Sequence, residues 1–260
     1  MPIPRKIQYC WFGGGEKPEL VKKCIASWRK YCPDCEIIEW NPDNYDVTRN
    51  AYMYQAYQAR RWGFATDYAR LDIVYAHGGI YLDTDVELIK SIDELFETDG
   101  FIGFERGARN AEQMVNTGQG FGASPHHPMI KKLLMSYENM SFLNRDGTQN
   151  LKTCPYYNTE ALKKEGLRCD NTLQSVGGLT VFPSDYLCPI DWQTRACTIT
   201  GNTFSIHHFN ASWVSAGEKR KRRMMRRLDY IIHIPNMLLK KVLGAAAYDK
   251  LKIKLRERKS

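Results

Sequence analysis

Strand, helix and strand alternate within the first forty residues, and this order constrains the fold more than any other feature of the chain. Ile7 to Phe12 is a short apolar run closed by Gly13-Gly14-Gly15, the pattern of a buried strand ending in a glycine loop. Over residues 19–31, Leu20, Cys24 and Trp28 recur four apart, which predicts a helix. Glu36 to Trp40 reads as a second strand, and Asn41-Pro42-Asp43-Asn44 as a turn. A βαβ opening of this kind predicts an α/β domain.

Further along, residues 66–77 predict a helix with Thr66 as its cap and Gly78-Gly79 as its stop. Tyr68, Leu71 and Tyr75 give it an apolar stripe, while Asp67 and Arg70 lie three apart and share a face. Ile80-Tyr81-Leu82 enters another strand, and Phe101 to Phe104 reads as one more. A helix is expected over 128–140, irregular chain from there to about residue 200, and a last strand over Phe204 to Phe209. With 260 residues, 43% of them hydrophobic, the chain can bury a sizeable core. No run of roughly 18 uncharged apolar residues is present, so no conventional membrane span is expected. Met1 to Lys6 lacks an apolar run, so no secretory leader is expected either.

Charge divides the chain. Of the 37 Lys and Arg, 15 lie from Lys219 to Ser260, against only 3 of the 29 Asp and Glu. The first 218 residues therefore carry a slight acidic excess, and the overall +8 belongs to the C-terminal segment. This predicts a body over 1–217 and a basic, partly amphipathic segment over 218–260. Within that segment Lys219-Arg220-Lys221-Arg222-Arg223 precedes Tyr230-Ile231-Ile232 and Met237-Leu238-Leu239. A basic segment with adjoining apolar residues suits an anionic membrane surface, where each basic side chain contributes about 1 kcal/mol. Nucleic acid is not expected as a partner, because the body is not basic and no zinc finger or RNA-binding signature is present.

Eight cysteines are spread along the chain, and reduced thiols are the expectation for most. Cys32-Pro33-Asp34-Cys35 is a spacing compatible with redox chemistry or zinc. A four-cysteine zinc site wants a second such pair, and none is present.

The residues with the strongest chemical signal are Gly78-Gly79-Ile80-Tyr81-Leu82-Asp83-Thr84-Asp85. Carboxylates two apart on extended chain point to the same side. They follow an apolar strand at its C-terminal end, where open α/β sheets bind ligands. Paired carboxylates offer hard oxygen ligands to Mg²⁺ or Mn²⁺. A cation so held suits a departing diphosphate.

Four segments together carry a resemblance: Ile7 to Gly14, Phe64 to Leu71, Gly78 to Asp85, and His207-His208-Phe209-Asn210-Ala211-Ser212-Trp213. In this order they resemble the DXD-containing sugar transferases of glycosyltransferase family 32 over roughly residues 1–215. That family includes capsular-polysaccharide transferases and yeast outer-chain mannosyltransferases. More distantly the segments resemble the catalytic domains of clostridial glucosylating toxins. The resemblance implies an α/β fold of the GT-A type, a nucleotide-sugar donor, a divalent metal and retention of anomeric configuration.

The same resemblance implies roles position by position. Trp11 matches an aromatic that stacks on the nucleotide base. Asp67 and Arg70 match a pair that binds donor sugar hydroxyls. Tyr81 matches an aromatic of the nucleotide pocket, or is a plain sheet residue. Asp85 matches a direct metal ligand, and Asp83 one that acts through water and the donor. His208 matches the late metal ligand, the alternation of extended chain allowing only one of His207 and His208 to face the site. Ser212 and Trp213 match an element over the diphosphate. Asn116 lies where the family lines the sugar and acceptor pocket, with Gly118, Gln119 and Glu105 nearby. Mn²⁺ suits an imidazole ligand better than Mg²⁺ does.

The function this implies is transfer of a hexose or N-acetylhexosamine, from a UDP-sugar or alternatively a GDP-sugar, to a glycan or lipid-linked glycan acceptor. The place implied is the cytoplasm, peripheral on the inner face of the cell membrane. Two other readings stand beside it. One is a non-catalytic membrane adaptor with a degenerate transferase fold. The other is a phosphatase in which Asp83 attacks phosphate and Asp85 is the acid/base.

Overall fold

The computed structural model describes residues 2–107, 112–191, 194–210, 244 and 247, and the fold below is that of the unit Met1–Trp213. The chain opens as the hydrophobic pattern predicts. Strand β1 (Lys6–Cys10) leads through helix α1 (Glu19–Tyr31) to β2 (Glu36–Trp40). The two strands pair in parallel from Lys6↔Glu36 to Cys10↔Trp40. Helix α1 buries Val21, Cys24, Ile25 and Trp28, a stripe of helical period, and the Trp28 indole donates to Val86 O at 2.8 Å.

Helices α2 (Ala51–Gln58) and α3 (Trp62–His77) follow, then β3 (Gly79–Tyr81) beside β1. Helix α3 starts four residues before the expected Thr66. Thr66 thus sits inside the helix, where its hydroxyl donates to Gly63 O at 2.8 Å. The helix ends at Gly78 as expected. Gly78 has a φ of 64°, and a Cβ there would lie 2.6 Å from Pro125.

Beyond the DXD come β4 (Val86–Leu88), the short α4 (Asp93–Phe96), β5 (Gly100–Gly103) and β6 (Phe121–Ala123). Helix α5 (Pro128–Met135) is shorter than expected. The segment to residue 200 is more regular than its sequence suggested: α6 (Cys154–Lys163), the hairpin β7 (Gln174–Val176) and β8 (Leu179–Phe182), and α7 (Ser184–Leu187). Strand β9 (Ser205–His207) ends the described fold.

Among the described residues, seven strands form one mixed sheet in the order β2-β1-β3-β6-β5-β8-β7, and β4 pairs with β9 in a second, two-stranded sheet. The α/β class expected from the sequence is the one the sheet displays. Sheet alternation separates two cores. Ile7, Ile80 and Phe101 pack with Trp28 of α1 on one side. Tyr81, Ile102 and Phe121 pack with α2, α3 and α5 on the other.

Candidate active site

Three elements converge where β3 ends. The chain leaves β3 at Leu82, turns through Asp83-Thr84-Asp85 and enters β4. Val86 N–H donates to Asp83 O at 3.0 Å to close the turn. The β4–β9 register places Val86 opposite His207. Asp85 then stitches the end of β9 in place: its carbonyl accepts from His208 N at 3.0 Å and its Oδ2 from Asn210 N at 2.7 Å. On the other side Asp83 N donates to Gly118 O at 3.2 Å.

Asp83, Asp85 and His207 form a cluster whose ligand atoms all lie within 4.8 Å of one another. His207 Nε2 is 3.3 Å from Asp85 Oδ1. Strand alternation holds as expected, with the choice between the two histidines reversed. His207 is buried beside the carboxylates, whereas His208 turns outward to Glu87 at 2.9 Å, which Lys23 also contacts. Two carboxylates and an imidazole within this span fit a divalent cation. Burial works against charge on Asp85, yet the His207 ring and the Asn210 N–H hold its pKa down at about 2. Burial likewise opposes charge on His207, but Asp85 raises its pKa. Asp83 goes the other way: burial raises it, Arg70 pulls it down, and Asp85 pushes it up again.

Arg70 ties the DXD to α3. Its Nη2 lies 3.2 Å from Asp67 Oδ1 and 3.2 Å from Asp83 Oδ1, and it donates to Thr66 Oγ1 at 2.9 Å. Its guanidinium sits 5.3 Å from the centre of the Tyr81 ring. Arg70 is 2% exposed and Asp67 5%. Burial pushes the Asp67 carboxyl up to about 7 although Arg70 opposes it. Tyr81, 1% exposed, takes the plain sheet-residue alternative and backs Arg70 from within the core.

Asn116 is also brought here. Its Nδ2 donates to Glu105 Oε2 at 2.7 Å, and its Oδ1 accepts from Gly118 N at 2.6 Å. Burial raises the Glu105 pKa. The Cys154 thiol at the start of α6 lies 3.6 Å from Asn116 Oδ1 and 3.7 Å from an Arg70 nitrogen, a neighbour that no local pattern pointed to. Gly118 is required by close approach: a Cβ would stand 2.5 Å from Asp83 Oδ2 and 2.9 Å from Arg70 Nη1.

A cleft of about 660 Å³ opens by the glycine loop after β1, lined among others by Phe12, Gly13, Pro42, Tyr57, Arg60 and Trp62. Trp62, which the sequence reading passed over, packs so close to Gly13 that a Cβ there would touch its Nε1 at 3.0 Å. Trp11 does not line this cleft. It is half-buried, donates from its indole to Gly15 O at 3.3 Å, and carries Lys17 over its ring. Ser212 and Trp213 lie outside the described residues.

Residues 18–102 match the family described as the glycosyltransferase sugar-binding region containing the DXD motif. This region is similar to the sugar-binding region of DXD glycosyltransferases. That region holds Asp67, Arg70, Asp83 and Asp85, while Asn116 and His207 come to it from later chain. The sequence is also 26% identical over 153 residues to inositol phosphoceramide mannosyltransferase 1 of Schizosaccharomyces pombe (strain 972 / ATCC 24843). The match takes in 55% of this chain, which spans 44% of that relative's length. Among solved structures, the PaToxG glycosyltransferase is similar over 64% of this chain and 70% of its own, at 22% identity and a TM-score of 0.49. A glycosyltransferase involved in glycosylation of the major capsid of PBCV-1 is similar over 84% of this chain and 98% of its own, at 11% identity and a TM-score of 0.45.

Proposed function

We propose that the chain is a metal-dependent, retaining glycosyltransferase. It moves a hexose or N-acetylhexosamine from a nucleotide sugar to a growing, lipid-linked surface or capsular polysaccharide. The observation that carries this is the Asp83, Asp85 and His207 cluster set against the Arg70–Asp67 pair. Mn²⁺ or Mg²⁺ held by the cluster would neutralise the diphosphate as it leaves. Arg70 and Asp67 orient the donor sugar, and Asn116, braced by Glu105, faces the same space. The nucleotide base lies at the glycine loop, against Trp11 or in the neighbouring cleft walled by Trp62 and Tyr57. Retention is achieved when the acceptor hydroxyl attacks on the face the diphosphate leaves, which asks the protein for positioning and charge stabilisation rather than a nucleophile.

A phosphatase would need Asp83 free to attack phosphorus, and its Oδ1 is instead engaged by Arg70 at 3.2 Å. UDP is the preferred nucleotide. The Schizosaccharomyces relative is named for mannosyl transfer and for inositol phosphoceramide. That name keeps a GDP-sugar as the alternative donor and suits a lipid-borne acceptor.

The decisive measurement is thermal unfolding with UDP or GDP, each with and without Mn²⁺, since a ligand that binds only the folded state raises the transition. A rise with UDP that needs Mn²⁺ is the expected result. A rise with GDP instead moves the donor to GDP-sugars, and no rise with either leaves the non-catalytic adaptor as the better reading.

The basic segment from Lys219 onward lies, apart from Gly244 and Ala247, outside the described residues. No helix among the described residues is long and apolar enough to cross a membrane. In this proposal residues 218–260 form a separate part that docks on the anionic inner face of the cell membrane. Deleting 219–260 is expected to release the protein from anionic vesicles while sparing donor hydrolysis. Unchanged vesicle binding refutes the docking role.

A further inference from the structure

The pair Cys32 and Cys35 lies at the opposite end of the sheet from the DXD turn. It precedes the first residue of β2, whereas Asp83 follows the last residue of the parallel strand β3. Cys32 closes α1, its N–H donating to Trp28 O at 2.9 Å, and Cys35 N–H donates back to Cys32 O at 3.1 Å. This is a four-residue turn with Pro33 at its second position, where proline's fixed φ favours the bend. The first and fourth Cα atoms of such a turn lie within about 7 Å, and a disulfide asks for about 4.4–6.8 Å. The two thiols lie close enough for each to act on the ionisation of the other.

The two thiols are unequal in access. Cys32 is 1% exposed, and Cys35 is half-buried. The neighbouring Cys32 thiol draws the Cys35 thiol down, helped by the charge of Arg5 and opposed by burial, Asp93 and Asp34. The nearby Cys35, with burial, raises Cys32. Arg5 is itself held by Asp93 at 2.5 Å, and its carbonyl accepts from Glu36 N at 3.1 Å, directly after Cys35. Elsewhere burial pushes Cys10 and Cys24 up to about 12 and Cys169 to about 11.

We propose that Cys32 and Cys35 form a dithiol–disulfide centre that exchanges with low-molecular-weight disulfides of the glutathione class. The Cys35 thiolate attacks one sulfur of the oxidised partner, breaking its S–S bond and releasing one thiol, which takes up a proton. Cys32 then gives up its proton and attacks the Cys35 sulfur, releasing the second thiol. One disulfide is formed and one is reduced, so electrons and protons balance. Access sets the order: the half-buried Cys35 meets the partner, and the enclosed Cys32 resolves.

The test equilibrates the full chain in reduced and oxidised glutathione at graded ratios, then quenches, alkylates and maps the peptide over residues 31–49, which holds both cysteines. The expected result is a Cys32–Cys35 disulfide that forms and reverses with the ratio. Cys35→Ser abolishes it, while Cys32→Ser leaves Cys35 carrying one glutathione that is not displaced. Cys35→Ala, followed by thermal unfolding, checks that the fold persists. The proposal is overturned if no such disulfide forms at any ratio. It is also overturned if Cys32→Ser takes up glutathione at Cys197 but not Cys35, or if the reduced chain holds one zinc that Cys35→Ser releases. None of these readouts depends on sugar transfer.

Discussion

Replacing Asp85 by asparagine is expected to lower sugar transfer by at least about 10²–10³-fold, the loss that follows removal of one preorganised electrostatic group from a site. The fold should remain. The asparagine amide would keep an oxygen to accept from Asn210 N–H, and the backbone bond from His208 N to the carbonyl of residue 85 is untouched. What disappears is the negative charge, held at a pKa of about 2 beside the His207 ring. The variant should therefore unfold near the wild-type temperature while losing the Mn²⁺-dependent rise with nucleotide. Asp85→Ala removes the acceptor as well, and a lower unfolding temperature for alanine than for asparagine would separate the structural part from the charge. Transfer by Asp85→Asn at the wild-type rate would sink the proposed role of the DXD.

The carboxylates themselves were legible, because their placement follows from local rules: an apolar strand, a glycine stop, and two acids on extended chain. The same holds for β1, α1 and β2, where period and turn residues agree. The histidine was not legible to the last residue. Alternation says that one of His207 and His208 faces inward, but which one depends on the register Val86↔His207, a pairing between segments about 120 residues apart. Helix α2 went unread because Tyr52, Tyr54 and Tyr57 blur its stripe, although Asn50 was available as a cap and does accept from Met53 N at 3.1 Å. The β7–β8 hairpin turns on Gly177-Gly178, a two-glycine signal that sequence reasoning could have used. Cys154 is different in kind: its place beside Arg70 and Asn116 comes from packing of α6, which no local pattern encodes.

Arg70→Met is expected to destabilise the fold by about 3–5 kcal/mol, the usual result of removing one partner from a buried ionic group. For a chain of this size that is a fall of roughly 10 °C in the unfolding temperature. The size follows from burial. Arg70 is 2% exposed and is the cation against which both Asp67 and Asp83 are set, each at 3.2 Å. Methionine fills similar length against Tyr81 but leaves Asp67 buried with no countercharge, and Asp67 is already raised to about 7 with the arginine present. Asp67→Asn in the Arg70→Met background should therefore restore part of the lost stability, a coupling read from the double-mutant cycle. Sugar transfer and the nucleotide-dependent rise should not return with it, because the proposed contact to the donor needs the guanidinium. An unchanged unfolding temperature in Arg70→Met would show that the pair contributes nothing to the fold. Recovery of nucleotide binding in the double variant would show the opposite error, that Arg70 holds the site together without touching what binds there.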